Sequence, residues 1–142
     1  MLIQIALGCA MIVATMLCHG LLTGYTLSAL KRRYETTGAP QTDLAAALVV
    51  AVFVLWLFVA TAVSIMAWAA LHVALGVFPA FEEALYFSTV TMTTVGYGDV
   101  VVARNWRLLA GIQAVNGSFL FGWSTALVFS IVEATYRMRQ SR

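Results

Sequence analysis

Three stretches without a single Asp, Glu, Lys or Arg, residues 1–30, 44–81 and 108–132, dictate what this chain can become. A soluble fold of 142 residues, 62% hydrophobic and 10% charged, has no interior large enough to hide that apolar surface; ordinary soluble domains carry roughly 25% charged residues. Each stretch is instead long enough for a helix across a hydrocarbon layer, which takes about 20 residues. Bilayer interiors admit only helices and closed barrels, and these segments lack period-2 alternation, so three transmembrane helices are the expectation. The expected fold class is an all-α integral membrane protein forming one compact domain.

The few charges orient it. Lys31, Arg32 and Arg33 follow the first stretch, and Arg137, Arg139 and Arg142 follow the third. By the positive-inside rule both clusters are cytoplasmic, which leaves the amino terminus and the connection between spans two and three outside. The first span is not read as a cleaved signal peptide, because its basic cluster comes after the apolar run and not before it. Cys9 and Cys18 lie nine residues apart on one helix, on opposite faces at about 100° per residue, and cannot pair within the chain. No disulfide framework or cysteine metal site is expected.

The outer connection holds the most specific part of the sequence. Gly76-Val77-Phe78-Pro79 ends the second helix, and 80–92 reads as a short new one with Glu82 and Glu83 near its amino end, where the helix dipole favours carboxylates. At 1.5 Å per residue it spans about 20 Å, too little to cross, so a re-entrant helix is expected. It runs into Thr91-Met92-Thr93-Thr94-Val95-Gly96-Tyr97-Gly98-Asp99. Glycines at alternate positions, Gly96 and Gly98, permit alternating backbone handedness, which aims successive carbonyl oxygens the same way.

Those nine residues resemble the selectivity-filter signature of potassium channels, and 44–136 look like the pore module of the two-transmembrane branch of that family. The resemblance implies an outer helix 44–72, a pore helix 80–92, a filter 94–98 and an inner helix 106–135. Before them come an additional transmembrane helix 1–30 and a cytoplasmic loop 31–43; after them, a cytoplasmic tail 137–142. It also implies a homotetramer, in which rings of carbonyl oxygen from Thr94, Val95, Gly96 and Tyr97, with the Thr94 hydroxyl, replace the water shell of K+. Tyr86, Phe87 and Asp99 are expected to support the filter, Tyr86 and Phe87 by bracing Tyr97. Gly117 falls near the family's inner-helix hinge, with a packing glycine as the alternative. Phe121, Thr125 and Phe129 recur every four residues and are candidate cavity and gate residues, or packing. No span carries the regularly spaced arginines of a voltage sensor.

The remaining polar residues have plainer expectations. Gly20, Gly24 and Ser28 form a small-residue face suited to docking another helix. His19 is expected as a neutral packing histidine with sensing as the alternative, and His72 as an interfacial histidine reaching water. Trp68 is expected at the outer interface. Gln113 and Asn116 are expected to hydrogen-bond between helices. Outside, Glu82, Glu83 and Asp99 outweigh Arg104 and Arg107, a sign that gathers cations.

The expected function is passive, potassium-selective conduction by a homotetramer, with a weakly selective cation channel or a non-conducting partner subunit as alternatives. Catalysis is not expected, because no acid, base and nucleophile set appears. Neither a cofactor nor a nucleic-acid partner is expected; the permeant ligand is K+ and the surroundings are lipid. The expected location is a cell membrane crossed several times, the plasma membrane of a prokaryote.

Overall fold

The computed structural model describes residues 1–38 and 42–140. The described residues form four helices, α1 Leu2–Thr37, α2 Asp43–Ala74, α3 Phe81–Met92 and α4 Arg107–Gln140, with a 3₁₀ turn Arg104–Trp106 leading into α4. No strand occurs among the described residues. Helices α1, α2 and α4 are each long and apolar enough to cross a membrane.

The helix ends follow from local chemistry. The segment expected to become a loop at Lys31 stays helical to Thr37. Lys, Arg and Glu are good helix formers, and Lys31 and Glu35 stand one turn apart at 4.0 Å, so nothing stops the helix when it leaves the apolar stretch. Gly38 stops it, at φ 79° with its N–H on Tyr34 O. Ala39 and Pro40 of the expected cytoplasmic loop lie outside the described residues, as does Arg142 of the tail. Thr42 caps α2 through its hydroxyl oxygen, which accepts from Ala45 N at 3.2 Å.

At the far end α2 closes in a Schellman motif. Gly76, at φ 66°, donates to Val73 O and Val77 donates to His72 O, both at 2.9 Å. The chain then turns at Phe78-Pro79 into α3. Glu82 and Glu83 sit in the first turn of α3, whose twelve residues reach only about 18 Å.

Helix α3 lies between α2 and α4, and its burial organises the core. Phe78, Ala84 and Phe87 pack with Ala69 and Val102 in one cluster. Trp68, Met92, Leu109 and Leu120 form a second, and Phe53, Leu57 and Ile131 a third. Two expectations are corrected here. Trp68 and His72 are fully buried and not interfacial. A position near the end of a span says how deep a residue lies, not what covers it, and α3 with α4 covers both.

Helix α1 runs parallel to α4 along nearly its whole length. Gln4 Nε2 donates to Asn105 O, Thr15 pairs with Asn116, and the Tyr34 and Thr135 hydroxyls meet, each pair separated by 101 residues in sequence. A constant offset over thirty residues requires two helices pointing the same way in one register. Gly8 permits the close approach, since a Cβ there would stand 2.6 Å from Ile112 Cγ2. Gly20 and Gly24, the glycines of the expected docking face, meet nothing within 4 Å; α1 uses another stripe for its contacts with α4.

Candidate functional site: the loop after the re-entrant helix

The loop that follows α3 starts from hydrogen bonds that hand over from helix to extended chain. Thr93 N donates to Thr89 O at 3.0 Å, Thr94 N to Thr91 O at 3.1 Å, and Gly96 N reaches back to Val90 O at 3.1 Å. The last turn of α3 therefore anchors the first half of the loop. Beyond it the backbone alternates in hand: Thr94, Gly96 and Gly98 have φ of 61°, 55° and 78°, while Val95 and Tyr97 between them do not enter the left-handed region. Alternation of this kind turns consecutive carbonyls toward one side, an arrangement that suits stripping water from a cation.

The glycines supply two of the three left-handed positions. Thr94 is the third, and it is the feature that reading the glycines missed. A side-chain-bearing residue there costs roughly 1–2 kcal/mol, a strain that the surrounding structure must hold in place. The repeat of two, counted back from Gly98 through Gly96, was the available signal.

Asp99 closes the loop. Its Oδ2 accepts from Tyr86 Oη at 2.6 Å and its Oδ1 from Val100 N at 3.0 Å. The Tyr86 hydroxyl, helped by the Val100 amide, holds the Asp99 carboxyl below the usual carboxylate range. A depressed value means that the loop stability from this pair is fully present above the ordinary carboxylate range. It is lost as pH falls through the lowered value. In Tyr86→Phe that contribution is absent at every pH, and the Asp99 titration midpoint is expected to move up toward the ordinary range. Following the Asp99 carboxyl carbon by NMR against pH checks this, and an unmoved midpoint would contradict it.

Phe87, expected beside Tyr97, is elsewhere. Its ring is buried behind α3, with centroids 5.4 Å from His72 and 5.1 Å from Phe78. One helical position separates it from Tyr86, about 100° of rotation, so the two cannot serve one face. Tyr97 itself is 73% exposed and Val95 50% exposed. The whole of 94–99 is open to the surroundings of a single chain.

Behind α3, His72 Nε2 and Gln113 Oε1 are 2.8 Å apart, a hydrogen bond between the two side chains. This pair ties α2 to α4 across the back of α3. Asn116 Nδ2 donates to Thr15 Oγ1 at 2.9 Å, tying α1 to the same helix. Both amides thus bond between helices, as expected. Their partners were beyond sequence reasoning, lying 41 and 101 residues away.

Gly117 sits where α4 crosses the carboxyl end of α3. A Cβ there would stand 2.1 Å from Met92 O, so the two backbones touch. Phe121, Thr125 and Phe129 occupy one exposed face further along α4. With Thr89 and Thr93 of α3 and a wall from α2, they line an apolar groove of about 930 Å³. This face begins directly beneath the loop. Among the described residues no cluster of three His, Cys, Asp or Glu is placed to hold a metal ion.

Against known protein families, residues 51–134 match the ion channel family. The chain belongs to that family. The match takes in most of α2, all of α3 and its loop, and nearly all of α4, while α1 stands before it. This ion channel is a multi-pass membrane protein by its three apolar helices. Comparison with curated proteins and with solved structures returned no match.

Proposed function

We propose that this ion channel is potassium-selective and conducts K+ passively through a pore made by four copies of the chain. The observation that carries the reading is the alternation of left-handed backbone at Thr94, Gly96 and Gly98 within Thr94-Val95-Gly96-Tyr97-Gly98-Asp99. Carbonyl oxygens of Thr94, Val95, Gly96 and Tyr97, with the Thr94 hydroxyl, are the oxygen ligands that replace the hydration shell. One chain offers one wall of such a path. Four walls close it, which accounts for apolar Val95 and the Tyr97 ring standing open in the single chain.

The supporting parts agree in sign. Helix α3 points its carboxyl end, the negative end of its dipole, toward the inner side of the loop. The carboxylates Glu82, Glu83 and Asp99 lie at the other side, where a cation is gathered before it sheds water. In this reading the loop and the amino terminus face outward, with Lys31–Arg33 and Arg137 inward. Phe121, Thr125 and Phe129 then flank the inner path, with Phe129 as the constriction that closes by dewetting.

Flux from liposomes holding the purified chain tests the proposal. Potassium efflux with a reversal potential near the potassium equilibrium potential, under a sodium/potassium gradient, is the expected result. A reversal potential near zero would replace it with a weakly selective cation channel. Absence of flux, together with a chain that migrates as a monomer, would refute the pore.

A further inference from the structure

Between the halves of α1 and α2 nearest their connection lies a groove of about 940 Å³. Its walls are Tyr25, Ala29 and Arg33 on α1 and Leu48, Val52 and Trp56 on α2, and no residue of α3 or α4 lines it. Along α2 it runs from Ala45 to Val59, about 21 Å at 1.5 Å per residue. One leaflet of hydrocarbon is about 15 Å deep, half of the roughly 30 Å core. The groove therefore reaches from the polar boundary past the middle of the membrane, the extent of an acyl chain.

Its polar end is positive. Arg33 is the charged residue in the lining, flanked in sequence by Lys31 and Arg32, and no carboxylate lines the groove. Glu35 is turned toward Lys31 at 4.0 Å. Arg33 makes no ion pair among the described residues. A planar guanidinium at the rim of an apolar slot matches a phosphate at the head of an apolar chain. Zwitterionic lipid carries the same phosphate but offsets it with its own cation.

We propose that this groove seats one acyl chain of an anionic phospholipid, with its phosphate on Arg33. The site lies within one chain and in a part that the ion path does not use. It rests on the membrane embedding and not on which ion passes, so lipid retention and cation flux fail independently.

Native mass spectrometry of the purified full-length protein, with phosphatidylglycerol and phosphatidylcholine of identical chains in competition, tests it. One basic group at a membrane surface discriminates by about fivefold, so that preference for phosphatidylglycerol is expected. Arg33→Gln is expected to bring the two lipids to parity. Ala29→Trp, which fills the slot partway down while leaving the guanidinium in place, is expected to abolish retention of phosphatidylglycerol. Arg137→Gln, on α4 at the same end of the bundle and paired with Glu133 at 2.7 Å, should leave the preference intact. Equal retention of both lipids by the unaltered protein would overturn the proposal. So would equal loss in Arg33→Gln and Arg137→Gln, or full retention by Ala29→Trp.

Discussion

Gly96→Ala is expected to abolish the proposed potassium-selective flux while the helices remain formed. Nothing lies within 4 Å of a Cβ built on Gly96, so crowding inside the chain is not the cause. The cause is the backbone, at φ 55°. A left-handed residue with a side chain costs about 1–2 kcal/mol. Each chain already carries that cost at Thr94. A second instance, multiplied over the four chains of the proposed pore, comes to about 4–8 kcal/mol. Differences of that size decide whether a loop keeps its conformation, because whole domains are stable by only about 5–15 kcal/mol. Relief comes by rotating the peptide, which turns a carbonyl off the ion path. Reversal potentials in liposomes give the readout, with circular dichroism confirming that helix content is unchanged. Selectivity that survived the substitution would refute the account of aligned carbonyls.

Gly117→Ala is the second large effect, and it arises from contact where Gly96→Ala arises from conformation. In a helix interior, alanine ordinarily stabilises by roughly 0.5–1 kcal/mol over glycine. At Gly117 the added methyl would stand 2.1 Å from Met92 O and 2.7 Å from Met92 C and Cα. These are backbone atoms at the end of α3 and cannot swing aside like the tip of a side chain. Either α4 withdraws or the end of α3 moves, and overpacking of this kind costs about 1–3 kcal/mol. Gly111 and Gly122 lie on the same helix with nothing within 4 Å. Their alanine variants should be neutral or slightly stabilising. Thermal unfolding in detergent of the three variants side by side checks this. A Gly117→Ala protein as stable as Gly111→Ala would rule out the contact and return this glycine to a hinge role.

Much of this architecture was legible because it is local. The three spans follow from residues 1–30, 44–81 and 108–132 lacking charge, and the short α3 from Gly76, Pro79 and the two glutamates. Tyr86 and Asp99, both expected to support the loop, bond directly to each other. What escaped was set by distant neighbours. His72 and Trp68 sit where a boundary residue would, and only the placement of α3 and α4 puts them in the core. Phe87 is adjacent to Tyr86 but turned by a third of a helical revolution, toward His72 and Phe78. Lys31–Thr37 read as loop because polarity was taken for irregularity, whereas those residue types favour helix and Gly38 is the real stop. Thr94 is the subtler case. Its left-handed backbone is imposed by its place in the alternating loop against its own preference, and composition cannot signal a residue held against its preference.

The parallel register of α1 and α4 bears on how the chain is made. Thr15 meets Asn116 only after 101 further residues have been polymerised, roughly 5–20 s at about 5–20 residues per second. Through that interval α1 waits in lipid without its partner. The Thr15 hydroxyl does not wait unsatisfied, because it also donates to Met11 O at 2.8 Å within its own helix. Biogenesis is thereby split into an early insertion of the first helix and a late docking that requires the last one. A ribosome stalled before α4 has emerged would leave α1 inserted but undocked.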